Sequence, residues 1–254
     1  MTETVRVRML VAYDGAGFRG FAVNQGVRSV AGELEERLSA LCATPITITC
    51  AGRTDAGVHG WGQVVSFDAP ADRFDPERWM RSLNSQGGGV VVVREISAAD
   101  PEFDARFSAR WRRYRYTVLN RATADPFLRL TSWWIPDPLD VDAMNAAAAA
   151  IVGEHDFASF CRRPAWADGS PGLLVREIFD ANWQAVDNDV IQLEITARAF
   201  CHQMVRSLVG AMVDVGLGKL RAQDMVRILE ARDRAVASQP APALGLCLWE
   251  VGYD

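Results

Sequence analysis

Five cysteines and three histidines are all that the 254-residue chain has of the usual metal-binding residues, with no CxxC or HxxxH among them. Cys42, Cys50, Cys161, Cys201 and Cys247 are odd in number and widely spread, which suits neither a disulfide framework nor a zinc knuckle. They read as buried free thiols. A metal site needs three or four ligands at close range, so no metal is expected, and His59 and His202 are expected to hold loops or meet phosphate. No apolar run approaches the roughly 18 residues of a membrane helix. The opening MTETVRVRML is charged and alternating, an expected strand rather than a signal peptide. A cytoplasmic protein without a membrane part is the expectation. Positive charge is also short: the net charge is −5, and Lys219 is the only lysine. The sum argues against a nucleic-acid binder with an overall basic footprint.

The distribution of charge says something different. From Ala105 to Tyr116 the run ARFSARWRRYRY holds Arg106, Arg110, Arg112, Arg113 and Arg115 without an acid, interleaved with Phe107, Trp111, Tyr114 and Tyr116. Clustered arginine with aromatics suits phosphate contact and base stacking; a solvated edge strand fits the same letters. Trp111 to Leu119 reads as a strand, and its period of two puts Arg112, Tyr114 and Tyr116 on one face, Trp111, Arg113 and Arg115 on the other.

At 49% hydrophobic and 23% charged the composition is that of a soluble globular enzyme with one large core or two small ones. Val5 to Tyr13 alternates as a strand. Ser29 caps an amphipathic helix to Leu41, and Asp75 and Pro76 begin a short helix to about Leu83. Val90 to Arg94 reads as a buried strand. Asp140 caps a helix stopped at Gly153, and 174–185 with 190–197 form a hairpin around Asp187 to Asp189. A strongly apolar helix spans Ala199 to Val215, and Leu246 to Val251 is a final strand. Residues 161–172 are the one obvious long loop. Strands mix with single helices and nothing demands a parallel wound sheet, so the class is α+β. The halves divide as 1–107 and 108–254.

AGRTDAGVHG, from Ala51 to Gly60, lies between two strands and holds one acid, Asp55, with Arg53 two positions before it. Gly52, Gly57 and Gly60 allow unusual backbone angles and close approach of a ligand. An exposed, oriented carboxylate nucleophile is built this way. The turn alone also fits a polar hairpin in which Asp55 bonds its own backbone. In AFCHQMVRSLVGAMVDVG, His202 and Arg206 share one face of the expected helix. A buried arginine needs a carboxylate partner, whether a structural one or Asp55.

These segments also carry a resemblance. AGRTDAGVHG followed by GQVVSF resembles the signature of the tRNA pseudouridine synthase A family. YDGAGFRG, ARFSARWRRYRY, the DPF and Trp134 region, GEHDFASF, AFCHQMVRSLVGA and APALGLCLWEVGY follow in that family's order. The resemblance implies the pseudouridine synthase fold: two similar α+β subdomains of mostly antiparallel sheet, helices on one side, and a central cleft. It implies an isomerase converting uridines at tRNA positions 38, 39 and 40 to pseudouridine, as a homodimer with tRNA as partner and no cofactor. Carried over by residue, Asp55 is the nucleophile, Arg53 helps hold the flipped target, Tyr114 packs on the uracil, and Arg206 pairs with the aspartate. The chain departs from the family at Gly20, Phe21 and Ala22, where relatives read GWQ, and at Ser85 to Gly89, which replaces a Leu-Pro segment.

Two rival classes fit less well. A non-catalytic tRNA chaperone would use the same basic patch but has no need of Asp55. A carboxylate phosphotransferase or hydrolase would need a second aspartate two residues on, where Gly57 stands.

Overall fold

The computed structural model describes residues 3–162, 174–187 and 189–254. Residues 163–172 of the expected long loop, and Asn188 of the hairpin turn, lie outside the described residues. The chain divides into two compact units, Met1–Arg110 with Cys247–Asp254, and Trp111–Leu246. The first unit is therefore made from both ends of the chain, whereas the sequence reading kept 108–254 together.

In the first unit, β1 (Thr4–Tyr13) sends Val7, Met9 and Val11 into the core and turns Arg6 and Arg8 to the other face, as its alternation requires. Helix α1 (Val30–Cys42) begins at Ser29, whose hydroxyl accepts the Gly32 N–H at 3.2 Å. After β2 (Thr49–Cys50) and β3 (His59–Pro70), α2 (Pro76–Gln86) is capped by Asp75, which accepts the Arg78 N–H at 3.0 Å, with Pro76 in the first turn. Strand β4 (Val91–Ala98) follows. β1 lies between β3 and β4, antiparallel to both, and β2 pairs with β3. The last strand of the chain, Leu246–Gly252, joins β3 in parallel, Cys247 beside His59. Parallel neighbours need a crossover, and here the whole second unit is inserted between them. Leu34, Leu38, Trp79 and Leu83 of the helices share one core with Val7, Met9, Phe67 and Val93. Both helices thus cover one face of the sheet, and each such side chain contributes about 1.5–3 kcal/mol by burial.

The second unit opens with β5 (Trp111–Asn120), then β6 (Trp133–Ile135), α3 (Val141–Ala149), β7 (Gly153–Asp156), β8 (Val175–Asp187) and β9 (Val190–Ala197). β5, β9, β8 and β7 are consecutive antiparallel neighbours, and β6 adds to β5 in parallel. Asp140 caps α3 through the Ala143 N–H at 2.9 Å. The Asn145 amide then clasps the backbone of Trp183, accepting from its N–H at 2.8 Å and donating to its carbonyl at 3.0 Å. Helices α4 (Met204–Gly216) and α5 (Asp224–Ala231) follow. The Trp183 indole N–H points to Met212 Sδ at 3.2 Å, which seats α4 against β8.

The structure corrects two expectations. Helix α4 starts at Met204 rather than Ala199, because Gln203 sits in the left-handed region at φ 65° and ends the helix there; His202 precedes the helix and does not share a face with Arg206. Cys161 and Cys201 are joined as a disulfide, their Cα atoms 5.8 Å apart, so they are not free thiols. Cys42, Cys50 and Cys247 lie outside that disulfide and carry thiols. The class is α+β, as the sequence reading held.

Candidate active site

Asp55 stands at the start of a turn closed by the Val58 N–H on the Asp55 carbonyl at 3.2 Å. Gly57 supplies the third turn position at φ 80°, the angle a type II turn requires there and a side chain resists. The turn is tied down on both flanks. Toward β3, the buried Gln63 amide donates to the Gly52 carbonyl at 2.7 Å and accepts from the Gly52 N–H at 3.4 Å. The Ala51 N–H reaches the Val64 carbonyl at 2.9 Å.

On its other flank the turn meets residues 13–21, the run YDGAGFRGF. The Phe21 N–H donates to the Thr54 carbonyl at 3.1 Å, and the Tyr13 hydroxyl lies 2.8 Å from Thr54 Oγ1. The Gly15 N–H donates to His59 Nδ1 at 3.1 Å, with Asp14 Oδ1 also 3.1 Å from that nitrogen. Such close packing excludes side chains: a Cβ on Gly15 would overlap the Val58 carbonyl, and one on Gly20 would come within 3.0 Å of the Thr54 oxygen. His59 holds a loop, one of the two roles expected of it. Phe21 is buried, its ring 5.8 Å from that of Tyr13, and is core rather than surface.

Arg53 is exposed and Asp55 half-buried. The Arg53 charge is felt at Cys50, whose thiol burial pushes up to about 11 while Arg53 and Arg106 oppose the rise. This thiol is a poor nucleophile at neutral pH.

In the second unit, Tyr114 sits on the buried face of β5 with Arg112 and Tyr116, the division of faces that the alternation predicts. Its ring meets Phe200 edge-on at 5.1 Å. Arg206, in the first turn of α4, donates through Nε to the Ala241 carbonyl at 2.7 Å, and its own carbonyl accepts the Ala241 N–H at 2.9 Å. Tyr116 donates to the neighbouring Pro242 carbonyl at 2.8 Å. Burial raises the Tyr116 hydroxyl's pKa and the Arg206 charge opposes it. The basic run is partly spent internally: Arg115 and Arg113 approach Glu194 at 2.9 and 3.5 Å, and Arg112 donates to the Arg198 carbonyl at 2.9 Å.

Of the proposed residues, Arg53 and Asp55 share one loop of the first unit; Tyr114 and Arg206 belong to the second. Sequence reasoning missed Tyr13, Thr54 and Gln63, which shape that loop. Their only trace in the chain is the glycine pattern at Gly15, Gly20 and Gly60, which announces close backbone packing without naming the partner.

The profile of a family described as tRNA pseudouridine synthase matches residues 9–108 and 147–254. The chain is 40% identical to tRNA pseudouridine synthase A of Geobacillus kaustophilus over 252 residues, 99% of this chain and 95% of the relative. It is 41% identical to tRNA pseudouridine synthase A of Leifsonia xyli subsp. xyli over 271 residues, 99% of this chain and 92% of that one. Among solved structures it is similar to the crystal structure of a Cbf5–Nop10–Gar1 complex at TM-score 0.38 and 12% identity, covering 83% of this chain and 44% of that chain.

Proposed function

The chain belongs to the tRNA pseudouridine synthase family, isomerases that convert uridine to pseudouridine, and we propose that it acts on tRNA positions 38, 39 and 40 with Asp55 as nucleophile. Its fold is the α+β pseudouridine synthase fold. The reaction breaks the C1′–N1 bond, turns the uracil and joins C1′ to C5, so the target base must leave the stack and stay trapped while detached. A carboxylate can add to the target and leave again without net consumption. The feature that carries this reading is the Asp55 turn, braced on both flanks through Gly52 and Thr54. Such bracing holds a nucleophile in one orientation and avoids reorganisation during the reaction.

Three further residues complete the proposed site as substrate contacts. Arg53, exposed beside the nucleophile, offers five donors to phosphate in the anticodon stem-loop. Tyr114 supplies a ring to pack on the uracil and a hydroxyl for proton movement. Arg206 supplies a positive charge to pair with the aspartate. In this reading the enzyme works in the cytoplasm as a homodimer, and needs neither cofactor nor metal. Because the net charge is −5, affinity for tRNA comes from local arginines and weakens with salt.

Release of tritium from tRNA labelled at uridine C5 tests the proposal, since the new bond at C5 displaces that hydrogen. Wild type releases tritium without added metal; Asp55→Ala binds tRNA and releases none. Normal release by Asp55→Ala would overturn the mechanism. Binding without release by wild type would make the protein a tRNA-binding chaperone instead.

A further inference from the structure

Tyr13 is the last residue of β1, and its ring is wedged between two neighbours. On one side the ring of Phe21 tilts against it at 5.8 Å. On the other it lies across the start of β3, where a Cβ on Gly60 would overlap it. So confined, the ring carries its hydroxyl to Thr54 Oγ1, 2.8 Å away and 41 residues further along the chain. Both partners are buried, Tyr13 at 5% and Thr54 at 7% exposure. Thr54 is held a second time by the Phe21 N–H on its carbonyl. The residue immediately before Asp55 is therefore fixed at its side chain and at the peptide group it shares with Asp55.

We infer that Tyr13 and Thr54 are positioning residues for the Asp55 carboxylate. The inference rests on the reading of Asp55 as nucleophile. Asp55 leaves the backbone at a point set by the Thr54 peptide, and the Thr54 hydroxyl is held at Tyr13. Loss of the tyrosine hydroxyl leaves a buried threonine hydroxyl seeking another partner, and any move it makes is transmitted to the next Cα. A displacement of the reacting carboxylate by a fraction of an ångström lowers the rate of the chemical step without weakening contacts to the rest of the RNA. The Tyr13 ring fills the same volume as phenylalanine, so the hydroxyl can be removed without opening a cavity.

The test uses single-turnover kinetics on C5-tritiated tRNA, with tRNA affinity and melting temperature measured on the same preparations. Tyr13→Phe is expected to lower the single-turnover rate about 10- to 100-fold with tRNA affinity unchanged. Thr54→Val should do the same, whereas Thr54→Ser, which keeps the hydroxyl, should restore most of the rate. The double variant Tyr13→Phe/Thr54→Val should be no slower than the slower single, because both remove one interaction. A wild-type rate for Tyr13→Phe, or losses that multiply in the double variant, would overturn the inference. A lowered melting temperature with an unchanged rate would overturn it as well, since that is the signature of a merely structural bond. If Tyr13→Phe fails to fold, the contrast of Thr54→Val with Thr54→Ser decides. Asp55→Ala separates the two levels of the argument: activity there defeats the reading of the nucleophile, while a dead Asp55→Ala beside a fully active Tyr13→Phe defeats only the positioning role.

Discussion

Arg115 Nε lies 2.9 Å from Glu194 Oε2, directly across the β5–β9 ladder, and Arg113 approaches the same carboxylate at 3.5 Å. One acid thus draws on two guanidiniums of the basic run. Both arginines and the glutamate are about a quarter to a third exposed at the side chain, so water screens the pairing and its contribution to stability is about 0–1 kcal/mol. Its larger effect is on the charge that the strand shows to a polyanion.

Glu194→Gln should therefore leave the melting temperature nearly unchanged and tighten tRNA binding. The plot of log affinity against log salt should steepen by about one unit for each released phosphate contact. Filter binding at several salt concentrations measures both. An unchanged slope would mean that this face of β5 does not meet the RNA backbone.

Gln63 is fully buried, and its amide is matched on both sides by Gly52. Gln63→Leu keeps much of the volume but leaves the Gly52 carbonyl and N–H without that partner. The expected cost is about 1–3 kcal/mol, read as a lower midpoint in denaturant titration, together with a slower isomerisation rate because the loop carrying Asp55 loses one of its anchors. Unaltered stability would show that solvent replaces the amide.

Parts of both units were legible in the chain because their signals are local. Ser29, Asp75 with Pro76, and Asp140 each accept the backbone N–H of their helix, and the alternation of β1 and β5 sorted their faces. What stayed hidden is nonlocal or masked by composition. The apolar run before Met204 looks helical, yet Gln203 takes φ 65° and Cys201 is bonded to Cys161. Helix α5 has no side-chain cap, and β6 is three residues long. The parallel pairing of Cys247 with His59 joins segments about three quarters of the chain length apart. For the candidate site, the turn at Asp55 and its glycine were readable from spacing. The Tyr13, Thr54 and Gln63 braces were not, since a tyrosine at a strand end and a glutamine inside one have no periodic signature.

Gly20 has φ 104°, and a Cβ there would stand 3.0 Å from the Thr54 carbonyl oxygen. Gly20→Ala should cost about 1–3 kcal/mol from backbone strain. It should also push residues 13–21 away from the aspartate turn, lowering the isomerisation rate more than tRNA affinity. Gly26, also at positive φ but with open space around it, is the control: Gly26→Ala should show the strain in its melting temperature and leave the isomerisation rate alone.

Cys50 introduces a pH dependence whose sign can be worked out. Burial raises its folded-state pKa to about 11, above the value of about 8.5 for an unfolded chain. The folded protein therefore keeps this proton when the unfolded chain has lost it. The contribution to stability is present below about pH 8.5 and is lost as the pH rises toward about 11. Denaturation followed from pH 8 to pH 11 should show a shallower decline for Cys50→Ala than for wild type. Identical slopes would mean that Cys50 titrates as an ordinary thiol.

Cys161 and Cys201 close a loop of 40 residues that contains β8 and β9. By the chain-entropy estimate such a closure stabilises the fold by about 4 kcal/mol. A disulfide persists under oxidising conditions, whereas the proposed cytoplasmic setting keeps thiols reduced, so the two statements make different demands on the same protein. Thiol titration of denatured protein prepared without reductant should find three thiols, those of Cys42, Cys50 and Cys247, and reduction should release the other two. Cys161→Ser should then lower the melting temperature of oxidised protein to that of reduced wild type. Five thiols before reduction would mean that the pair is held close without a bond, and Cys161→Ser would then change the melting temperature equally with and without reductant.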